Sequence, residues 1–443
     1  MSSNNGNDWE DHQVDHLFLL VGENPLPNYV AARLLIKPKT DQEKQKNPSI
    51  VYLVHTTKTA GDDKPAGLLE KELKKHNITI KQISLGDDES DGDKIRAKIK
   101  EKIQPKGKPP LQGRLGLNYT GGTKAMAVHA YQAFQELQLT DPVFSYLDSR
   151  KLAMHIDGKD KPIPVDLALS PAPKLEIILG LHNLSWKTDP IRQSQLPDIA
   201  EAFAKLHLNS DLARTWRKWC DGVFKSLKNT QGYWRQDSEF SNPPHLKLSV
   251  TTPVNVTVPN EIQEILRKEL GWALTDELSL TIAKDKGRFT TFGDVCQWLD
   301  GGWLEDYVLS QVEKIATKYS LHDSIMSLHI KDPRNPNRPT DQFEFDVAFL
   351  RGYQLCGISC TTSPDHKKCK QKLFEAQLRV QQLGGDEARV ALVCCDDLPS
   401  EWLKKELDFV VDDSKIEVFG RQDLEPTKFA KKLDLWIFRN AGK

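Results

Sequence analysis

Long apolar runs are missing from this sequence. Stretches such as Leu17-Phe-Leu-Leu-Val21 and Leu175-Glu-Ile-Ile-Leu179 are far too short to span a bilayer, so a soluble protein with no membrane partner is expected. A surplus of one charge is missing too. Sixty-one Lys and Arg stand against 62 Asp and Glu, a net charge of −1. No global positive field draws the chain to nucleic acid, and any such contact has to come from a local patch. An even, disulfide-like set of cysteines is also absent. The seven cysteines, Cys220, Cys296, Cys356, Cys360, Cys369, Cys394 and Cys395, are scattered and odd in number, and no signal-peptide pattern precedes them. That usage points to a reducing cytoplasm. Neither Cys356/Cys360 nor Cys394/Cys395 has the matching His pair that a structural zinc site would need.

At 443 residues the chain is long enough for two or three domains, each with its own core. Residues 1–15, rich in Asn, Ser and Asp, read as a disordered lead-in. From 16 to 160, strand patterns at 17–21, 49–54, 78–83 and 111–118 alternate with helical patterns at 27–36, 66–76, 93–103 and 124–137. Segments 144–147 and 151–156 then close as a hairpin. This alternation predicts an α/β sheet with helices on both faces. Residues 161–290 give weaker signals: a helical stretch over 191–227 with Trp216 and Trp219, a hairpin pattern over 245–258 and a helix near 261–270. They are expected to form a mixed α+β linker module without chemistry of its own. In residues 291–443 a glycine break at Gly301-Gly302 precedes a helix over 303–317. Strands at 324–331, 342–350 and 353–360 follow, with a Pro- and Asn-rich turn at 332–340, then a helix over 371–383 and a buried strand over 388–395. That order is again α/β.

Chemistry concentrates in two places. Thr120-Gly-Gly-Thr-Lys124 lies between a predicted strand and a helix, where backbone amides and the positive end of the helix dipole converge. Gly121 and Gly122 let a phosphate approach the backbone, Thr120 and Thr123 offer hydroxyls, and Lys124 supplies charge. The spacing is neither that of a Walker loop nor that of a dinucleotide fingerprint. In an α/β sheet the carboxyl ends of the strands line one crevice. Gly22, Glu23 and Asn24 from the first loop, and Thr56, Thr57 and Lys58 from the second, are therefore expected to face the same site as Asn118 and 120–124. A glycine-rich turn without a ligand is the competing reading. His55 reads as a hydrogen-bonded loop residue, and Cys360 as a small buried strand residue. The second place is a pair of carboxylates, Glu305 on a helix and Asp346 on a strand, followed by Lys367, Lys368, Lys370 and Lys372.

Asn118-Tyr-Thr-Gly-Gly-Thr-Lys-Ala-Met126 resembles the signature of CRISPR-associated Rossmann-fold (CARF) domains. Gly301-Gly-Trp-Leu-Glu305 followed by Phe345-Asp-Val347 resembles the restriction-endonuclease-like half of the CARF nucleases of type III CRISPR systems. The matching order covers most of the chain outside 160–290. The resemblance implies a homodimer whose CARF pair binds a cyclic oligoadenylate, with the tetra-adenylate favoured. It also implies a PD-(D/E)XK nuclease that uses Mg²⁺ or Mn²⁺, held by Glu305 and Asp346, to cut single-stranded DNA or RNA in antiviral defence.

In that fold a Glu-x-Lys on the next strand completes the site. Here Ser359 and Thr361 stand in those positions, and a hydroxyl is a poor ligand for a hard cation while Thr carries no positive charge. Two readings stay open. In one, the missing groups have moved to the following segment, where Lys368, Lys370, Lys372 and Glu375 lie, and Ser359 is at most a weak metal ligand. In the other, the domain has lost hydrolysis and serves binding or regulation beneath a working sensor. A transcriptional regulator is a third class, disfavoured because 160–290 shows no helix-turn-helix with a basic recognition helix. Slow cleavage of the ligand by its own 2′-hydroxyl, held by Thr120 and Lys124, is a further hypothesis that ligand decay with a Lys124→Ala variant would test.

Overall fold

Seven strands make the first sheet: β1 (His16–Leu20), β2 (Ile50–His55), β3 (Thr79–Ser84), β4 (Leu115–Asn118), β5 (Val143–Asp148), β6 (Ala153–Ile156) and β7 (Ile163–Pro164). The computed structural model describes residues 9–441 except 41, 44–46, 248, 251–255, 271–276, 336–342 and 406–412. The spatial order is β3-β2-β1-β4-β5-β6-β7, with the first five parallel and the last two antiparallel. Every residue of β1 is buried, because helices cover both faces of the sheet. Leu17 and Leu19 pack with Tyr29, Leu35 and Leu69, while Phe18 and Leu20 pack with Ile95, Ile99 and Phe134. An all-apolar run is what a strand covered on both sides requires.

Order begins earlier than the sequence reading placed it. Trp9 is buried, Glu10–His12 forms a 3₁₀ turn, and Val14 bridges to Ile36 in parallel register. Within the expected lead-in of 1–15, residues 9–15 are therefore folded, and 1–8 lie outside the described residues.

The middle of the chain is less separate than a linker would be. Strand β8 (Ser185–Trp186) belongs to the second large sheet. Four short strands follow: β9 (His245–Lys247), β10 (Ser249–Val250), β11 (Val256–Thr257) and β12 (Glu277–Ser279). They pair antiparallel as β10 with β11 and β12 with β9. The turn of the expected 245–258 hairpin lies outside the described residues. Helices Pro197–His207 and Ser210–Val223 occupy much of the 191–227 stretch. Their Phe203, Trp216 and Trp219 share one core with Trp298, Trp303 and Tyr307 and with Val347, Phe349 and Ala391 of the second sheet.

That sheet comprises β8 with β13 (Leu321–Lys331), β14 (Phe343–Arg351), β15 (Gln354–Thr361), β16 (Arg389–Cys394) and β17 (Ile416–Phe419), in the order β17-β16-β15-β14-β13-β8. The strands β13, β14 and β15 are antiparallel neighbours, and β15, β16 and β17 are parallel. Helix Trp303–Tyr319 packs in the shared core on one face. On the other face helix His366–Gly384 contributes Leu373, Val380 and Leu383 to a core that runs through Leu175, Ile178 and Leu179 to Tyr29 and Leu17 of the first sheet. Of the turn expected at 332–340, residues 336–340 lie outside the described residues.

Candidate nucleotide crevice and metal centre

In the first sheet the strand order reverses at β1 and β4, which sit side by side in parallel with their connections leaving in opposite directions. The carboxyl ends of such a pair open a crevice. The loops after β1 and β4 meet there so closely that a Cβ on Gly22 would lie 3.1 Å from the Gly122 amide nitrogen. A Cβ on Gly121 would lie 2.2 Å from the Leu20 carbonyl oxygen, and Gly122 has φ +72°. Both glycines are therefore required by packing against β1 and by the turn itself.

The polar groups of this loop divide into two kinds. Thr123 caps helix Lys124–Glu136 by accepting a bond from the Met126 amide, and its hydroxyl donates to the Glu89 carbonyl. The Thr120 hydroxyl accepts from the Leu147 amide at 2.7 Å, and buried Asn118 donates to Ser145 and accepts from the Thr120 amide. These side chains set the loop's shape. Lys124, by contrast, is exposed at the first turn of the helix. Across the crevice Glu23 and Lys58 form an exposed ion pair that joins the loops after β1 and β2. Thr57 is exposed beside them, whereas Thr56 is buried and its amide bonds to the Thr59 hydroxyl. Asn24 caps Leu26 and points elsewhere: a Cβ on Gly385 would come within 2.3 Å of its amide nitrogen. His55 is buried, with Nδ1 3.2 Å from the Thr56 carbonyl.

The second sheet gathers a different set. Glu344 and Asp346 stand two residues apart on β14 and so share a face. Glu305 arrives from the helix after the Gly301-Gly302 kink. Ligand oxygens of Glu305, Glu344 and Asp346 all lie within 4.8 Å of one another. Burial, then the neighbouring Asp346 and Glu344, push the Glu305 carboxyl well above the usual range, although the Ser327 hydroxyl donates to it at 2.6 Å. Asp346 is held by the Ser359 hydroxyl at 2.8 Å and the Cys360 amide at 2.6 Å. Ser359 thus braces a carboxylate. Thr361 accepts from the Ser363 amide.

Of the lysine cluster, Lys372 is the member that reaches this carboxylate, with Nζ 3.5 Å from Asp346 Oδ2. Burial lowers its pKa, but Asp346, Glu344 and Glu305 outweigh that and raise it above the ordinary lysine value. With Glu375 it lines a cavity of about 190 Å³ that also holds Glu344, Asp346 and Ser359. Lys367, Lys368 and Lys370 are exposed on the same helix and do not line it. Cys360 is buried, and desolvation holds its thiol well above the ordinary value, which leaves it neutral.

Sequence reasoning did not name Glu344 or Ser327, nor the part played by Asp306. The i, i+2 spacing of Glu344 and Asp346 was the available signal for the first. Asp306 is fully buried and accepts from the Ser194 hydroxyl, the Gln195 and Leu196 amides and the Trp298 indole. It anchors the segment beside Glu305.

Residues 17–161 match the family described as the Card1 CARF domain, so the first sheet and its helices are a Rossmann-like CARF domain within a mixed α/β chain. By sequence, no curated protein matches the chain. Among solved structures, protein VC1899 from Vibrio cholerae shares the fold over 97% of this chain and 100% of its own, with a TM-score of 0.66 at 15% identity. Can2 from Sulfobacillus thermosulfidooxidans, solved in complex with cyclic tetra-adenylate, covers 95% of this chain and 99% of its own, with a TM-score of 0.63 at 16% identity. The likeness is one of fold, and it extends across both sheets and the module between them. Among the described residues no helix is long and apolar enough to cross a membrane.

Proposed function

We propose that this chain is a cyclic-oligoadenylate-gated, divalent-metal-dependent nuclease of type III CRISPR antiviral defence, acting in the cytoplasm as a homodimer. The observation that carries the proposal is the cluster of Glu305, Glu344 and Asp346 within 4.8 Å, with the Lys372 ammonium 3.5 Å from Asp346, in a chain that begins with a CARF domain. Three crowded carboxylates and the raised Glu305 pKa are what a hard divalent cation would relieve, so the donor set fits Mg²⁺ or Mn²⁺. Such a cation, when bound, supplies Lewis-acid polarisation of the phosphate and a more acidic water.

The chain's own groups do the positioning. Ser359 and the Cys360 amide fix the Asp346 carboxylate, Ser327 fixes Glu305, and Lys372 offers a proton donor and positive charge beside Asp346. This gives the PD-(D/E)XK pattern a helix-borne lysine and a third carboxylate from β14. In the CARF domain, Lys124 and the N-terminus of its helix supply the charge complement for ligand phosphates, with the Glu23–Lys58 pair on the opposite rim. The cyclic tetra-adenylate in Can2 makes that ring the first ligand to test.

Labelled single strands of DNA and of RNA, incubated with Mn²⁺ and cyclic tetra-adenylate, are expected to be cut by the wild-type chain and left intact by Asp346→Ala. Cleavage unaffected by that substitution would overturn the site assignment.

A further inference from the structure

Glu305 belongs to two spaces. Its carboxylate is part of the acidic cluster, and the residue also lines a cavity of about 500 Å³, distinct from the cavity of about 190 Å³ around Asp346 and Lys372. The larger cavity lies between the middle module and the second sheet. Arg288, Phe289 and Gln297 come from one side, Met326 and Glu305 from the other, and Gln195 from the segment held by Asp306. Its volume is that of a small-molecule site, roughly 300–1,000 Å³.

The lining has a definite chemistry. Phe289 and Met326 are almost fully buried and give an apolar floor. Around them the side-chain amides of Gln195 and Gln297 and the guanidinium of Arg288 make no hydrogen bond or ion pair among the described residues. Arg288 ends helix Leu280–Gly287 in a left-handed conformation, φ 55°, and is exposed. Asp294 is occupied as the cap of the Thr291 amide, and Asp189 and Glu305 complete the rim. Among the described lining residues Arg288 is thus the one guanidinium beside an apolar floor with free amides, a combination that suits a flat heterocycle with polar edges attached to a phosphate.

We propose that this cavity receives one unpaired nucleobase of the substrate, next to the phosphodiester at Glu305, with Arg288 on a flanking phosphate. The middle module, where sequence reading found no chemistry, is then the strand-positioning part of the nuclease. A base enters by leaving its stack, which costs least where the strand is unpaired, so single-stranded nucleic acid is the favoured substrate. This rests on the nuclease reading above.

The test uses the full chain with cyclic tetra-adenylate and Mn²⁺, and a labelled oligonucleotide in three forms: intact, abasic at the nucleotide beside the cleaved bond, and annealed to its complement. The expected result is that Arg288→Ala raises KM about tenfold with kcat changed less than about threefold, and that Arg288→Lys recovers most of the loss. The abasic strand is expected to raise KM about tenfold for the wild-type chain and much less for Gln297→Ala, and the duplex to resist cutting. Abasic and duplex substrates cut like the intact strand would overturn the cavity's role while leaving the nuclease standing. If the wild-type chain cuts nothing, the nuclease reading fails, and the cavity is judged by anisotropy of the same labelled strand on the Asp346→Ala chain. Binding weakened about tenfold by Arg288→Ala upholds it, and unchanged binding overturns it.

Discussion

Glu344 and Asp346 project from one face of β14, and Glu305 meets them from the facing helix, where its burial and their two charges raise the cost of ionising it. Glu344→Gln is expected to raise the Mn²⁺ concentration for half-maximal cleavage by on the order of 10- to 100-fold, read from metal titrations of the cutting rate. Lys372→Ala is expected to lower kcat by on the order of 100-fold, while Lys368→Ala and Lys370→Ala leave it unchanged. Equal losses from all three lysines would mean that the cluster acts as a diffuse basic surface.

His207 makes a separate prediction. It is 3% exposed, lies against Trp303 and bonds through Nδ1 to the Phe203 carbonyl at 2.8 Å. Burial, with Arg421 nearby, pushes its pKa down from 6.5 to about 4. Between those values the unfolded chain binds more protons than the folded one, so stability rises with pH and is lost as pH falls from 6.5 towards 4. Denaturant titrations at pH 7 and pH 5 are expected to show a loss of about 2 kcal/mol from this group, absent in His207→Gln. The same loss in the variant would assign it to other groups.

The elements differ in how plainly they could be read. The inner parallel strands β1 and β2 of the first sheet announce themselves because burial on both faces demands unbroken apolar runs. The glycine loop was legible as a motif, but the work of its residues was not. Thr120 and Thr123 read alike as ligand donors, yet the Thr123 hydroxyl both accepts from the Met126 amide and donates to the Glu89 carbonyl, while the Thr120 hydroxyl, among the described residues, only accepts, from the Leu147 amide. Gly121 and Gly122 looked like room for a phosphate, and they first make room for β1. Such roles depend on contacts between segments far apart in sequence, which no local pattern carries. The same reason hid Lys372 among four lysines, since only the docking of helix His366–Gly384 against β15 selects it. Gly121→Ala places a Cβ 2.2 Å from the Leu20 carbonyl and must displace the loop. Loss of ligand binding by calorimetry is expected, with a drop in stability of about 2 kcal/mol or more. Normal affinity in a stable variant would show that the loop tolerates the shift.

At the scale of the whole molecule the two sheets are joined rather than tethered. One apolar core links Leu17 and Tyr29 to Leu175, Ile178 and Tyr353 and on to Leu373 and Leu383. Helix His366–Gly384 carries Lys372 in its second turn and ends at Gly385, against Asn24 of the loop after β1. Packing is therefore continuous from the loop after β1 to the helix that carries Lys372. The boundary expected at 161–290 could not be read because β8 and the tryptophan-rich helices complete the second domain from before its own sequence begins. The most direct measurement of ligand control is the single-turnover cutting rate of a labelled single strand in Mn²⁺, with and without cyclic tetra-adenylate. A rise of at least about tenfold on adding the ring, abolished by Asp346→Ala, is the expected result. The same rate with and without the ring would contradict it.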